Sequence, residues 1–250
     1  MELDDNLLQR YNRHIMMHQV DFEGQQKLAD SRALILGAGG LGSPVAMYLA
    51  SSGVGHIVIC DFDTVEVSNL QRQLLHTDAD IGKAKVESAK ETLQALNPYI
   101  EVTIFNQRLE GDDLRKQVEL ADVVIDTTDN FASRFALNRM CVETKTPLVS
   151  GSVIRMEGQM TVFRPDLNDS PCYHCLYKES DELGETCTQN GVLAPAVGII
   201  GSIQATEALK VLMGIGTDLS GRLLVMDAFT MEFRMMKLKK DPQCPVCSSC

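Results

Sequence analysis

Short apolar runs alternate with longer amphipathic segments through the first half of the chain. Residues 33–36 form one such run, followed by a glycine-rich loop and by an apolar segment over 43–50 with Pro44 near its start. Proline is well tolerated in the first turn of a helix, so this segment is predicted to be helical. A second apolar run, 57–60, ends at Asp61. The succession predicts a strand–helix–strand unit, which is typical of parallel sheets.

The same alternation continues as far as residue 126. A helix is predicted over 83–96, where Asn97 and Pro98 stop it. The remaining elements of this region are a strand over 101–105, a helix over 112–120 and a strand over 121–126. We therefore expect an α/β fold with a Rossmann-like, mainly parallel sheet and helices on both of its faces.

Beyond Pro147 the pattern changes to short strands and one long helix. Strand-like runs occupy 148–151 and 160–163, a long apolar helix spans 195–213, and the runs 223–227 and 232–235 suggest an antiparallel hairpin. No linker separates the two regions, and we expect them to share one sheet. The chain is thus predicted to be a single domain, 1–250, with a nucleotide-binding half, 1–147, and a second half, 148–250.

Composition and charge limit the possible partners and compartment. The chain has 250 residues, of which 44% are hydrophobic, and a formal net charge of −11. Such an acidic chain lacks the clustered positive charge that nucleic acids and membrane surfaces attract, so we expect neither as a partner. The acidic N-terminus shows no signal peptide, and no stretch approaches about 18 consecutive apolar residues. We expect a cytoplasmic protein.

Two Cys-x-x-Cys steps lie in the second half. In the cytoplasm, cysteines are more often metal ligands, reactive thiols or core residues than disulfide partners. Two such steps together favour one tetrahedral zinc site, because each supplies two thiolates from a tight turn. The predicted ligands are Cys172, Cys175, Cys244 and Cys247. His174 and Cys250 are alternative ligands that the spacing does not exclude. Four thiolates leave no open position for a substrate, so we expect the zinc to be structural.

The glycine-rich loop between the first strand and the first helix is a candidate phosphate site. It contains Gly37, Gly39, Gly40 and Gly42, and Asp61 follows nineteen residues after Gly42. Glycines permit a tight turn and a close approach of phosphate to the backbone, and the helix N-terminus offers free N–H groups to an anion. An acidic residue at this distance commonly binds a ribose hydroxyl. The pattern indicates a nucleotide but does not distinguish NAD from ATP.

Polar residues after the second and fourth strands favour ATP. Arg72 and Lys85 provide cations close to the ribose carboxylate, where they would stabilise the charge of a phosphoryl group, whereas hydride transfer has no need of them. Asp129 and Asn130 follow the fourth strand, at the sheet edge where ligands bind, and Asp129 is a candidate Mg²⁺ ligand. Each residue alone would be an ordinary surface or turn residue. Because all of them follow strand ends around one glycine loop, a functional site explains them better than separate surface or turn residues.

Several motifs together resemble the MoeB/ThiF family, bacterial relatives of the ubiquitin-activating enzymes, over nearly the whole chain. These motifs are Arg10-Tyr11-Asn12-Arg13-His14, Gly37-Ala38-Gly39-Gly40-Leu41-Gly42, Asp61-Phe62-Asp63, Ser68-Asn69-Leu70-Gln71-Arg72-Gln73, Gly82-Lys83-Ala84-Lys85, Thr128-Asp129-Asn130 and the paired Cys-x-x-Cys steps.

The resemblance implies ATP-dependent adenylylation of the C-terminal glycine of a ubiquitin-like sulfur carrier that ends in Gly-Gly. It assigns ribose binding to Asp61, Mg²⁺ binding to Asp129, and a position in the partner subunit's ATP site of a homodimer to Arg13. The residues that it places against phosphate are Asn69, Arg72, Gln73 and Lys85. Arg134 would be a further contact to phosphate or carrier, and the half over 148–250 would bind the carrier.

The identity of the carrier and the role of Cys187 are left open by these motifs. The segment 153–159 resembles members that activate the small subunit of molybdopterin synthase, which favours molybdenum cofactor biosynthesis over the thiamine pathway. Cys187 matches a family cysteine that links covalently to the carrier in thiamine-type members, whereas Cys60 and Cys141 are expected in the core. Two remote alternatives are an NAD-dependent oxidoreductase and a non-catalytic zinc scaffold, and the retained cations argue against the scaffold.

Overall fold

The fold is built on one eight-stranded sheet. The computed structural model describes residues 3–178 and 191–248, and its strands follow the order β3-β2-β1-β4-β5-β6-β7-β8. The strands are β1 (Arg32–Leu36), β2 (His56–Cys60), β3 (Glu101–Phe105), β4 (Val123–Asp126), β5 (Leu148–Ile154), β6 (Glu157–Phe163), β7 (Arg222–Asp227) and β8 (Glu232–Lys237). Pairing is parallel from β3 to β5 and antiparallel from β5 to β8. The predicted mainly parallel sheet and the predicted hairpin are both confirmed.

Alternate side chains of the parallel strands enter two separate cores. In β1, Ala33 and Ile35 belong to one hydrophobic cluster, while Leu34 and Leu36 belong to the other. Such alternation arises because successive side chains of a strand point to opposite faces of the sheet. Both faces are therefore covered, which explains why these strands have continuous apolar sequences instead of alternating ones.

Helices cover the two faces in different groups. The helices are α1 (Asp5–Arg10), α2 (Asn12–Ile15), α3 (Asp21–Asp30), α4 (Gly42–Ser51), α5 (Lys85–Leu96), α6 (Gly111–Glu119), α7 (Phe131–Thr144), α8 (Tyr173–Leu176) and α9 (Ala194–Met213). Helix α9 packs against α3 and α4, and α4 packs against α5, whereas α6 packs against α7. The expectation of helices on both faces is confirmed.

Three regions of helix were not predicted from the sequence: α1 to α3, α7 and the single turn α8. Helices α1 to α3 pack at the N-terminus around a small cluster that contains Leu3, Leu7 and Tyr11. Helix α7 does not separate its apolar and polar residues into clear faces, so its periodicity is weak. Local capping defines it: the Asn130 side chain accepts a hydrogen bond from the Ser133 N–H at 2.9 Å.

Helix α5 begins two residues later than predicted. Gly82 has a positive φ of +86°, and Ala84 pairs with Thr64 in an isolated β-bridge before the helix starts at Lys85. This bridge holds the chain extended where the sequence pattern suggested a first helical turn. Lys85 consequently lies at the N-terminus of α5 instead of on its side.

Helix α9 is long and apolar enough to cross a membrane by length and composition. Half of its most apolar window is nevertheless buried inside the protein, where it packs against β5 and β6. Its most buried polar residue, Gln204, donates from Nε2 to the carbonyl of Asp126 at 2.9 Å. We conclude that α9 is the central core helix of this face.

Candidate functional site

A cavity of 690 Å³ opens where the strand order reverses between β1 and β4. Ligands of such sheets bind in the crevice at the carboxyl ends of the strands, at this point of reversal. The predicted site residues that line the cavity are Gly37, Gly39, Gly40, Asp61, Arg72, Gln73, Lys85, Asp129, Asn130 and Arg134. Segments that are far apart in sequence thus meet at one cavity, which Gly42 does not line.

The glycines of the loop have two different roles. Gly37 has a φ of +105°, and a Cβ at Gly42 would lie 2.0 Å from the Gly37 carbonyl oxygen, so these two positions are fixed by backbone geometry. Gly39 and Gly40 instead face the cavity, and a Cβ at Gly39 would have only the Gln73 side chain within 4 Å, at 3.6 Å. The missing side chain of Gly39 leaves room for a ligand against the backbone, whereas a Cβ at Gly40 would lie 3.3 Å from Cγ2 of Val197.

The carbonyl groups of the loop are bonded to groups behind it. The Thr127 hydroxyl lies 2.7 Å from the Leu36 carbonyl and 2.9 Å from that of Gly37. The Ser43 hydroxyl donates to the Gly39 carbonyl at 2.8 Å. The loop then runs into α4, where the Ser43 and Val45 N–H groups donate to the Gly39 and Leu41 carbonyls at 2.9 and 3.3 Å, and Pro44 has no N–H. The cavity-lining backbone of Gly39 and Gly40 and the positive end of the helix dipole make the loop a suitable site for an anion.

Asp61 is held at the end of β2 by two backbone N–H groups. Its Oδ2 accepts from Ala38 in the glycine loop at 2.7 Å, and its Oδ1 accepts from Asp63 at 2.9 Å. A carboxylate oxygen has more than one acceptor site, so both oxygens can still accept from a ribose hydroxyl. The side chain is therefore oriented toward the cavity before any ligand binds.

Lys85 and Arg72 occupy different environments. The Lys85 side chain is only 7% exposed, and its Nζ lies 2.7 Å from Oδ2 of Asp63. A buried lysine that is paired with a carboxylate and lines a cavity is not a solvated surface residue. Arg72 is half-buried and donates from Nη1 to the Ser68 carbonyl at 3.0 Å, which leaves other N–H groups of its guanidinium for a ligand.

Asn69 and Arg13 are absent from the cavity wall formed by the described residues. The Asn69 carbonyl accepts the N–H groups of Arg72 at 3.1 Å and Gln73 at 3.0 Å, and the Asn69 Oδ1 accepts from the Glu66 N–H at 3.3 Å. Asn69 thus shapes the turn that carries the two lining residues. Arg13 is exposed on α2.

The loop after β4 presents Asp129 at the mouth of the cavity. Asp129 is exposed, and its described contact is a hydrogen bond from Nδ2 of Asn130 to its Oδ1 at 3.4 Å. Arg134 lies deeper: its Nη2 donates to the Thr128 carbonyl, and its Nε is 3.8 Å from Oδ2 of the buried Asp126. Arg134 therefore supports the loop that carries Asp129, and much of its charge is already balanced.

The four predicted zinc ligands come together beside α7. Their sulfur atoms all lie within 4.8 Å of one another, with Cys172 and Cys244 at 3.7 Å and Cys175 and Cys247 at 3.5 Å. Sulfurs bound to one tetrahedral zinc ion at about 2.3 Å are separated by about 3.8 Å. The donor set and its dimensions fit zinc.

Three of these cysteines are buried, and the cluster packs against Val142 of α7. Hydrogen bonds from the neighbouring thiol of Cys172 and from the Asp241 N–H lower the pKa of Cys175, which favours a thiolate at this one position. By contrast, the hydrogen bond with Cys175 and burial raise the pKa of Cys172, and burial and the neighbouring thiols raise the pKa of Cys247. None of the four lines the cavity. The arrangement agrees with a structural role.

The remaining cysteines and His174 are separate from this cluster. His174 belongs to α8, but it is not among the four grouped ligands. Cys60 and Cys141 are buried as predicted, and burial raises the pKa of Cys60 to about 11, which keeps it protonated. All six cysteines in residues 3–178 and 191–248 are free. Cys187 and Cys250 lie outside the described residues.

Sequence reasoning missed several residues that organise the site. Asp63 pairs with Lys85, Thr127 binds the glycine-loop carbonyls, and Asp126 receives hydrogen bonds from Thr128 and Ser150. Their positions just after β2 or at the end of β4 could have indicated them, because the carboxyl ends of parallel strands lie at the same edge of the sheet, where the site is. His76 is buried beneath the glycine loop, and no sequence pattern indicated it.

Comparison with known proteins agrees with this geometry. A family model described as the ThiF family matches residues 11–246. The chain is 50% identical to the molybdopterin-synthase adenylyltransferase of Escherichia coli K12, with 98% of each chain covered. It is 43% identical to the sulfur carrier protein ThiS adenylyltransferase of the same organism, over 98% of this chain and 97% of that relative. The crystal structure of E. coli MccB is similar with a TM-score of 0.84 and 25% identity, covering 95% of this chain and 72% of that one.

Proposed function

The chain belongs to the ThiF family, and from this premise we propose that it is an adenylyltransferase that uses ATP to activate a ubiquitin-like sulfur carrier. The carrier is the small subunit of molybdopterin synthase, activated at its C-terminal glycine. The observation that carries the proposal is the cavity at the β1/β4 crevice, where an open glycine loop faces Arg72 and Lys85. The higher identity to a molybdopterin-synthase adenylyltransferase than to a ThiS adenylyltransferase supports this carrier.

The reaction requires alignment and charge stabilisation. A carboxylate oxygen of the carrier's terminal glycine attacks the α-phosphorus of ATP, the bond from that phosphorus to the bridging oxygen of the β-phosphate breaks, and pyrophosphate leaves. Arg72 and Lys85 stabilise the negative charge that spreads over the phosphate oxygens in the transition state. Asp61 holds the ribose, and the N–H groups of the glycine loop hold phosphate. The nucleophile is already a carboxylate, so no catalytic base is needed.

The adenine ring has an apolar place at the other end of the cavity. Cys60, Leu109, Leu114 and Leu137 line this end and belong to one hydrophobic cluster. At its edge, the Arg108 guanidinium lies over the Phe62 ring at 5.6 Å from the ring centre. An apolar slot beside a polar phosphate site matches the shape of a nucleotide.

Metal binding completes the proposed site. Asp129 offers a free carboxylate oxygen at the cavity mouth, and hard oxygen donors of this kind suit Mg²⁺, which neutralises phosphate charge when bound. Zinc at the four cysteines supplies structural cross-linking of the segments around 172–175 and 244–247. The cysteine cluster thus stabilises the second half, while the residues around the glycine loop carry the chemistry.

The carrier has a candidate docking surface at the antiparallel end of the sheet. Exposed apolar side chains lie on β8 and the turn before it, with Phe233 and Met235 on one face of the strand and Met236 on the other; the full set is Phe229, Met231, Phe233, Met235 and Met236. The neighbouring strands β5, β6 and β7 contribute Ser152, Gly158 and Val225 to the cavity wall. A carrier body bound at this surface would have a direct path for its flexible Gly-Gly tail along the sheet to ATP. An exposed apolar patch of this kind is typical of a binding surface.

The proposal is tested by carrier-dependent exchange. Purified protein with ATP, Mg²⁺ and the molybdopterin-type carrier should exchange labelled pyrophosphate into ATP and form a carrier adenylate that mass spectrometry detects. The thiamine-type carrier of the same cell serves as the comparison, and faster exchange with it would favour the second candidate function, activation of ThiS. Absence of exchange with every Gly-Gly carrier would contradict the adenylyltransferase. Nicotinamide binding in a fluorescence titration would support the oxidoreductase alternative.

A homodimer in the cytoplasm is the proposed working form. Arg13 is exposed on α2, away from the cavity of its own chain, and the apolar side chains Met16 and Met17 that follow it are exposed at 68% and 49%. Exposed apolar residues next to an exposed cation suit a subunit interface. We propose that Arg13 reaches the ATP of the partner subunit.

Mixing two inactive variants tests this arrangement. Arg13→Ala and Lys85→Ala should each be nearly inactive alone, whereas an equal mixture after subunit exchange should recover about a quarter of wild-type exchange activity, since half of symmetric dimers are mixed with one intact site each. The readout is pyrophosphate exchange before and after mixing. If Arg13 acts within its own chain, no mixed dimer has an intact site and activity stays at the level of the variants.

A further inference from the structure

His76 is a buried histidine that contacts the glycine loop from behind. It is 5% exposed and follows the turn that carries Arg72 and Gln73. Its Nε2 lies 3.0 Å from the Ala38 carbonyl oxygen, and its Nδ1 lies 2.8 Å from the Ser88 hydroxyl. Neither contact is with a group that we assigned to chemistry, yet Ala38 is the centre of the loop.

These two contacts define the protonation of the ring. A carbonyl oxygen can only accept, so Nε2 must carry the hydrogen, while the Ser88 hydroxyl contacts both Nδ1 and the Asp80 carboxylate. Burial lowers the pKa of His76 and the charge of Lys85 lowers it further, while the hydrogen bond to the Ala38 carbonyl and the charges of Asp80 and Asp61 only partly oppose these effects. The neutral ring with hydrogen on Nε2 is the form that this environment stabilises near neutral pH.

The bond to the Ala38 carbonyl determines where the next N–H points. The peptide bond between Ala38 and Gly39 is planar and trans, so its C=O and N–H groups point in opposite directions. With the carbonyl directed at His76, the Gly39 N–H is directed away from the histidine, and Gly39 lines the cavity. The Ala38 N–H is meanwhile held by Asp61. Ala38 is thus fixed on both sides, by the ribose carboxylate and by His76.

We propose that His76 is a positioning residue for nucleotide binding, which aims the Gly39 N–H at a phosphate of ATP. The inference rests on the proposed use of ATP. Ser88 is the second part of the device, because it lies on α5 one turn after Lys85 and orients the imidazole from that helix. Through His76 and Ser88, the glycine loop and helix α5, which begins with Lys85, are held in a fixed position relative to each other.

Two substitutions at His76 separate positioning from simple packing. Glutamine can place its amide nitrogen close to the position of Nε2 and keep the bond to Ala38, whereas asparagine is shorter and can reach only toward Ser88. We expect His76→Asn to raise the KM for ATP, and the ATP dissociation constant measured by calorimetry, about tenfold, with kcat changed by less than about threefold. His76→Gln should stay within about twofold of the wild type in all three. The Ser88→Ala variant should have a KM and a dissociation constant for ATP between those of His76→Gln and His76→Asn.

Thermal unfolding of all variants gives the control for folding. Both His76 variants should lower Tm to a similar extent, because both remove an imidazole from the core. A KM for ATP that is unchanged in His76→Asn, or raised equally in the Gln and Asn variants, would overturn the inference. Failure of the wild type to exchange pyrophosphate with any carrier would instead contradict the proposed function, and calorimetric binding of ATP would still decide the role of His76.

Discussion

Replacing Asp129 with alanine should abolish carrier adenylation while leaving the fold intact. The expected loss is about a thousandfold in kcat/KM, the size seen when one electrostatic partner of a transition state is removed. Asp129 is exposed at the cavity mouth, and its described contact is a weak one with Asn130, so little folding energy depends on it. Pyrophosphate exchange measures the loss, and circular dichroism and Tm report the fold.

Asp112→Ala is a suitable control for this experiment. Asp112 is also an exposed aspartate near the start of a helix, in the first turn of α6, but it does not line the cavity. Removing it should leave exchange unchanged and should cost at most about 1 kcal/mol of stability through the helix dipole. If Asp129 binds Mg²⁺, a higher Mg²⁺ concentration should also increase the residual exchange activity of Asp129→Asn. Full activity of Asp129→Ala would refute its assigned role.

Replacing Cys244 with serine should release zinc and destabilise the protein before it affects catalysis. Cys244 is fully buried in the cluster, and its sulfur lies 3.7 Å from that of Cys172. A hydroxyl is a much poorer zinc ligand than a thiolate at neutral pH. A thousandfold weakening of zinc binding lowers the free energy of unfolding by about 4 kcal/mol at constant free zinc. Zinc content by elemental analysis and Tm are the two measurements.

Cys141→Ser makes the same chemical change at a buried cysteine that is not a ligand. This control should lose about 1–3 kcal/mol for burying a hydroxyl and should retain a full complement of zinc. At a temperature where Cys244→Ser is still folded, its pyrophosphate exchange should be within a fewfold of wild type. A Cys244→Ser protein that is well folded and fully loaded with zinc would contradict the assignment of the ligand.

The sequence predicted the strands and the location of the site because both depend on short-range patterns. A run such as 33–36 is apolar on both faces, and the residues directly after parallel strands must meet at one edge, as Asp61 and Asp129 do. The spacing alone predicted which four cysteines would come together as a possible metal site. At Gly37 the backbone has a positive φ, which glycine adopts without strain, so the residue type itself indicates the local conformation.

Other features required the tertiary structure. Asn69 belongs to a motif that predicts phosphate contact, yet in the fold it supports the turn beneath Arg72. Arg134 lines the cavity, but its additional contact with buried Asp126 depends on the packing of α7 against β4. His76 lies in a polar segment without periodicity, and its burial results from α5 closing over the loop. Pairings between distant segments leave no local pattern from which they could be predicted.

Helix α9 has a consequence for how this protein can change in evolution. It packs on α3 and α4 from the first half of the chain and on β5 and β6 from the second, while β4 and β5 join the two halves by direct pairing. Neither half could be exchanged between genes as an independent module, because each would expose the apolar surface that the other covers. Recombination between genes can therefore add sequence at the ends of the chain or within its loops, but it cannot replace either half alone.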